Sequence, residues 1–178
     1  MKAIEQRLAD VAGYILTNLG GSAEYIKLLK LMYIADRESF RENQTAITGD
    51  HYVSMNQGPV LSIAYNFIRG NVNGEIWNSL FQTVGFGICL KSTPPEPGFS
   101  KADRKVLDRV MAEFGSWDKW KLVDLTHTFP EWEFPNGSST AITLENLLKG
   151  AGFENDVAAA IASEELGMQA MDRLFSAA

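Results

Sequence analysis

Apolar side chains at Ile4, Leu8, Val11, Ala12, Ile15, Leu16 and Leu19 recur at intervals of three and four, and Gly20-Gly21 ends the series. That spacing predicts an amphipathic helix closed by a glycine C-cap. The next segment carries Tyr25, Ile26, Leu28, Leu29, Leu31, Met32, Tyr33 and Ile34, which leaves little polar circumference and predicts a central helix, with Ser22 placed to cap it. Its cations Lys27, Lys30 and Arg37, with Arg41 beyond, form one narrow stripe. The stripe is expected to be a solvated seam between packed faces.

The pattern then changes period. Tyr52 to Asn56 alternates large and small side chains as a strand does, whereas apolar residues after Pro59 (Val60, Leu61, Ile63, Ala64, Phe67, Ile68) recur at helical spacing up to Gly70. Gly58-Pro59 stands at the join, and Pro59 is expected at the first helical position, where its missing N–H costs nothing. A second strand is read in "VGFGICLK" and a third at Ile76-Trp77, giving a small antiparallel ribbon. The Pro-rich "STPPEPGFS" breaks all regularity. Ser100 with Asp103 then forms a variant capping box for a helix through Leu107, Val110, Met111 and Phe114. Ser116 is read as the cap of the following one, which holds Trp117, Trp120, Leu122, Val123 and Leu125. Thr143 to Lys149 reads as a short helix ended by Gly150, and Glu154 to Phe175 as an Ala-rich one. The fold class is therefore mainly α (α+β), a compact helical domain of about six or seven helices with a small antiparallel β-ribbon. Residues 1–150 form the domain and 151–178 a C-terminal helix packed on or appended to it.

Composition narrows the chemistry. An apolar fraction of 46% and a charged fraction of 21% suit a soluble globular chain. The net charge of -6 argues against a nucleic-acid surface, which needs clustered Lys and Arg. Cys89, alone of its kind, excludes an internal disulfide and fits a reducing compartment as a small buried hydrophobe. No apolar stretch reaches the ~20 residues of a membrane span, and the first residues are unlike a signal peptide. A cytoplasmic location is expected, with no membrane partner.

Catalytic signatures are sparse. The sequence contains no GxSxG, Walker loop or HExxH, and Gly85-Phe86-Gly87 lacks the third glycine of a dinucleotide fingerprint. His127 beside Asp124 and Thr126 permits a hydrolytic arrangement to be drawn; the alternative is a histidine bonding the last helical carbonyls or anchoring the turn into Pro130. His51 next to Asp50 is weaker, and two histidines with scattered carboxylates lack any metal-ligand spacing. No enzyme activity, cofactor or metal is expected. Aromatic residues left outside the core are the better lead: Tyr52, Met55 and Gln57 near a strand edge are expected to offer a protein-binding surface.

"IKLLKLMYIADRES", "TGDHYVSMNQGPVLSIAYNFI", "FSKADRKVLDRVMAEFGSWDKWKLVDLTH" and "PEW", in that order, resemble the Panacea domain of the SocA-like antitoxin family. Lys27, Leu28, Leu31, Tyr33, Ala35, Gly58, Pro59, Val60, Tyr65, Leu122, Leu125, Thr126 and His127 carry the match, over roughly Ile4 to Trp132. Tyr52, Ser54, Met55 and Gln57 depart from the family's usual Phe, Ala-Trp and Tyr. The resemblance implies an antitoxin that neutralises a toxin encoded nearby by direct binding, with the motif residues in structural roles. Homo-oligomerisation stays open. The rival readings are a small hydrolase using His127 with Asp124, which needs a pocket around His127, and a DNA-binding autoregulator using Lys27, Lys30, Arg37 and Arg41, which needs those cations exposed and contiguous.

Overall fold

A computed structural model describes residues 2–176; the outermost residues of the segments 1–150 and 151–178 lie outside the described residues. The elements run α1 (Lys2–Asn18), β1 (Ser22–Glu24), α2 (Tyr25–Asn43), β2 (Tyr52–Met55), β3 (Gly58–Leu61), α3 (Ser62–Arg69) and α4 (Glu75–Leu80). They continue as β4 (Phe81–Val84), β5 (Gly87–Leu90), α5 (Lys101–Phe114), α6 (Lys119–His127), β6 (Thr140–Ile142), α7 (Leu144–Gly150) and α8 (Asn155–Ser176). The protein is mainly α, and its β content is two small antiparallel sheets, ordered β1-β5-β4 and β3-β2-β6.

Helix α2 is the axis of the molecule. It packs against α1, α5, α6, α7 and β3, so Leu28, Leu29, Leu31, Met32, Tyr33, Ile34 and Ala35 are all buried. Its polar residues had to be buried with them: Lys30, Asp36, Arg37 and Ser39 are closed off from solvent too. The expected solvated seam is therefore corrected, because α2 is enclosed from Leu28 to Arg37 and the stripe reaches water only beyond that stretch. Lys27 is half-buried and donates to the Gly115 carbonyl at 2.7 Å. Arg41 alone of the stripe is exposed, paired with Glu38 at 3.0 Å. The cations are neither exposed nor contiguous.

Ties between α2 and the irregular segments hold the rest in place. Asp36 accepts from the Ile47 and Thr48 amides at 2.9 and 3.0 Å, from the Thr48 hydroxyl, and from the Tyr52 hydroxyl at 3.0 Å. Arg37 Nε donates to Glu131 Oε1 at 2.8 Å, the Tyr33 hydroxyl joins the same oxygen at 3.0 Å, and Arg37 Nη2 donates to the Gly150 carbonyl at 2.6 Å. One guanidinium thus joins the turn after α6 to the end of α7.

Several local expectations change. Ser22 lies in β1 opposite Cys89, and the cap position of α2 is Glu24. Pro59 is in β3, opposite Ser54, rather than at the start of a helix; β3 is the outer strand of its sheet, where a residue without an N–H is tolerated. Ile76-Trp77 belongs to helix α4, not a strand: the carboxylate of Glu5, from α1, accepts the Ile76 and Trp77 amides at 2.8 and 3.0 Å and supplies the missing cap. Asp118, not Ser116, caps α6, accepting from the Trp120 and Lys121 amides. The Ser100–Asp103 capping box forms in full, as does the Thr143 cap of α7.

Breaking one side of the buried Arg37–Glu131 pair leaves the other charge stranded, which typically costs ~3–5 kcal/mol. Arg37→Met is expected to lower urea-unfolding stability by about that much, and Arg37→Met with Glu131→Leu to recover a large part. Equal losses in the single and double variants would show that the pair does not act as a unit.

Candidate partner-binding face

The chain reverses between β2 and β3 through Asn56 and Gln57, with Met55 opposite Gly58 as the closing pair. Neither turn residue has a positive φ; Gly58 does, at 94°, and left-handed glycines close hairpin loops of this kind. Gly58 is needed for space as well. A Cβ there would lie 2.7 Å from Thr126 Oγ1, 2.8 Å from Lys30 Nζ and 3.2 Å from His127 Cδ2. Residues from α2, the hairpin and the end of α6 therefore converge under one glycine.

Each member of that cluster has a defined state. Lys30 is wholly buried and its ammonium donates to the Pro59 carbonyl at 2.7 Å. Burial pushes its pKa down to about 7. The Thr126 hydroxyl is spent on the Val123 carbonyl at 3.1 Å. His127 stacks on Trp132 with ring centroids 4.0 Å apart, faces the Asn56 backbone, and keeps Nε2 buried without a hydrogen-bond partner. Burial, and then the nearby Lys30 charge, lower its pKa. Trp132 in turn donates from Nε1 to the Met55 carbonyl at 3.0 Å and clamps the hairpin.

This geometry does not assemble a hydrolytic triad. Asp124 is exposed and acts on His127 only through its charge, while the Thr126 hydroxyl points back to its own helix. Instead, a groove of about 300 Å³ opens beside the hairpin, lined by Tyr25, Ile26, Leu29, Lys30, Met55, Asn56, Gln57, Gly58, Val60, Tyr65 and Ser138. Met55 and Gln57 thus lie where a binding surface was expected. Tyr52 does not: its side chain is 5% exposed, edge-on to Tyr33, with its hydroxyl on Asp36, because alternation along β2 turns Tyr52 and Ser54 inward. Leu31 and Tyr33 are core, Val60 lines the groove floor, and Tyr65 is half-buried at its side.

Three large aromatic residues that the sequence did not single out are exposed on neighbouring segments. Phe86, at the β4–β5 tip and 71% exposed, leans on Tyr25 at 6.3 Å. Phe134, 68% exposed, lies 6.4 Å from Trp132. Trp120, 55% exposed, sits under the Lys119 ammonium, which is paired to Glu24 next to Tyr25. Phe86 thus adjoins the lining residue Tyr25 and Phe134 adjoins the Trp132 clamp, while Trp120 is linked to Tyr25 only through Lys119 and Glu24. Aromatic rims on polar surroundings are characteristic of protein-binding patches.

The family model for antitoxin SocA-like proteins, Panacea domain, matches residues 28–133, more than half of the chain. The chain belongs to that family. The matched span runs from α2 to just past Trp132, so the Panacea domain includes the hairpin, the Lys30 cluster and the Trp132 clamp. No curated protein and no solved structure matches the chain. Among the described residues, no helix of this Panacea protein is long and apolar enough to cross a membrane.

Two measurements probe the cluster. Gly58→Val is expected to lower the melting temperature sharply, since it combines a left-handed φ with overlap of Lys30 and Thr126. Pro59→Ala is expected to change it little, and equal shifts would contradict the assignment of the turn. The second concerns pH. Lys30 binds its proton less tightly folded (about 7) than unfolded (10.5). Between those values the unfolded chain holds the extra proton, so stability rises with pH at up to ~1.4 kcal/mol per unit. The stability difference between the parent and Lys30→Met is expected to narrow in the parent's favour from pH 7 to pH 10; a constant difference would show that Lys30 titrates normally.

Proposed function

We propose that this Panacea protein is an antitoxin that neutralises a toxin, encoded nearby, by binding it directly through the groove and aromatic rim around the β2–β3 hairpin. The observation that carries the reading is the largely apolar groove beside the β2–β3 hairpin in a chain of this family, with the mostly exposed Phe86 against its lining residue Tyr25 and Phe134 against the Trp132 clamp. Binding hot spots are enriched in aromatic side chains, and a few of them carry most of the energy of a standard interface of ~1,600 Å². Inhibition by contact needs a surface and no turnover, so the protein acts without cofactor or metal. It works in the cytoplasm, where a toxin made beside it is met first. Tyr52 contributes from beneath the surface by fixing β2 to Asp36.

Co-expression with the product of the adjacent gene is expected to restore growth that this product alone arrests. Phe134→Glu and Phe86→Glu are each expected to weaken protection while circular dichroism and melting temperature stay close to the parent's, since both side chains are mostly in solvent. Folded variants that protect fully would move the interface elsewhere, and a parent that protects against no neighbouring product would overturn the antitoxin reading.

A further inference from the structure

Two cations of α2 are buried, and they are treated differently. Arg37 has a carboxylate at 2.8 Å. Lys30 has one carbonyl, and among the described residues no carboxylate forms an ion pair with it. Lys30 is also the one cationic side chain in the lining of the groove, whose other walls are largely apolar: Ile26, Leu29, Met55, Val60. Taking an ammonium out of water without a counter-charge is unfavourable, and an unbranched apolar residue of the same length would stabilise the free protein better. The lysine is thus a poor choice for the isolated fold.

The space above it is kept open. Any side chain at position 58 would press on Nζ, and glycine leaves that space free. The His127 ring also borders the space above Gly58, with Cδ2 3.2 Å from where a Cβ would lie, and its buried Nε2 makes no hydrogen bond. Asn56 and Gln57, the two turn residues that line the groove with Lys30, are exposed, and because Nζ is wholly buried a ligand reaches it only if this turn moves outward.

We propose that the groove receives an apolar segment of the toxin bearing a single carboxylate, which pairs with the Lys30 ammonium as apolar neighbours fill the groove. Charge complementarity selects this occupant: one cation in apolar walls suits one carboxylate, whereas a phosphate backbone needs a row of cations that this face lacks. The proposal rests on the antitoxin reading for the identity of the partner, and on the Lys30 site alone for its chemistry.

The site chemistry is tested first without a toxin. Octanoate serves as the probe, with octanol and octylamine as controls, and the Lys30 ε-methylene is followed by carbon-13 NMR in the lysine-labelled full chain. His127 is the titratable group facing Lys30 from α6, and β3 offers only Gly58 and the Pro59 carbonyl. His127→Gln is therefore titrated in parallel. Octanoate is expected to shift the Lys30 resonance and to raise its titration midpoint by about one pH unit or more, in the parent and in His127→Gln, as an opposite charge within contact distance does. Octylamine should have no such effect, and Lys30→Met should lose the response. An unmoved midpoint, or octanoate binding equally well to Lys30→Met, overturns the proposal.

The toxin arm separates this idea from the broader reading. Lys30→Met, and Lys30→Leu as a second variant, are expected to melt at or above the parent's temperature near neutral pH yet to protect cells at least tenfold less well. A parent that protects, with both folded variants protecting equally, overturns the carboxylate proposal and leaves the antitoxin reading standing. A parent that protects against nothing overturns the antitoxin reading, and the octanoate titration still decides whether the Lys30 site takes a carboxylate.

Discussion

Helix α2 is buried at every position from Leu28 to Arg37, and most of the architecture follows from that constraint. A helical stretch buried on all sides cannot leave a polar side chain unsatisfied, yet this one carries Lys30, Tyr33, Asp36 and Arg37. Each is satisfied by a segment that is not itself part of a helix bundle. Lys30 holds β3 through the Pro59 carbonyl, Asp36 holds the 47–48 loop and β2, and Tyr33 and Arg37 hold Glu131. The irregular parts of the molecule are fixed from the inside, by hydrogen bonds to one buried helix.

That arrangement explains how a binding face can be both loop-built and firm. Loops carry recognition well when a rigid scaffold positions them, and here every loop around the groove has an anchor. The β2–β3 turn is clamped by Trp132 on the Met55 carbonyl and stacked against through His127. The β4–β5 turn is tied to α2 by the Tyr25 amide on the Phe86 carbonyl at 2.9 Å. The start of α6 is joined to β1 by the Lys119–Glu24 pair. Phe86, Trp120 and Phe134 stand on these anchored segments, so little ordering entropy is left to lose when a partner docks.

The sequence made the long elements legible and the ties between them illegible. Helices α1, α2 and α5 announced themselves through the pattern of apolar positions and, for α5, the local cap of Ser100 with Asp103, and α8 through its Ala-rich composition. Helix α4 did not, because its cap comes from Glu5, distant in the chain, and six residues are too few to show a period. Pro59 fits a helix start and an edge strand equally well by local rules; pairing with Ser54 decided it. Strand β6 is three residues beside β2, beneath the length at which alternation can be read. Tyr52 was expected outside and Lys30 in a solvated stripe for one shared reason. The face a residue takes is set by the elements packed around its own, and the middle of α2 is enclosed by α1, α5, α6, α7 and β3.

The segment from Phe129 to Phe134 shows how core and surface are coupled. Phe129 lies under the Arg37 guanidinium at 4.1 Å, and Glu131 points inward to the same cation. Trp132 turns to the hairpin and His127, and Phe134 faces solvent. Successive side chains thus bind the central helix, clamp the recognition turn and present an aromatic anchor. The inward contacts to Arg37 are charged and buried, and they hold the backbone from which Trp132 and Phe134 project. In such a molecule the adaptable part of recognition is confined to the two exposed turn residues, Asn56 and Gln57, which lie over the one buried cation without a counter-charge.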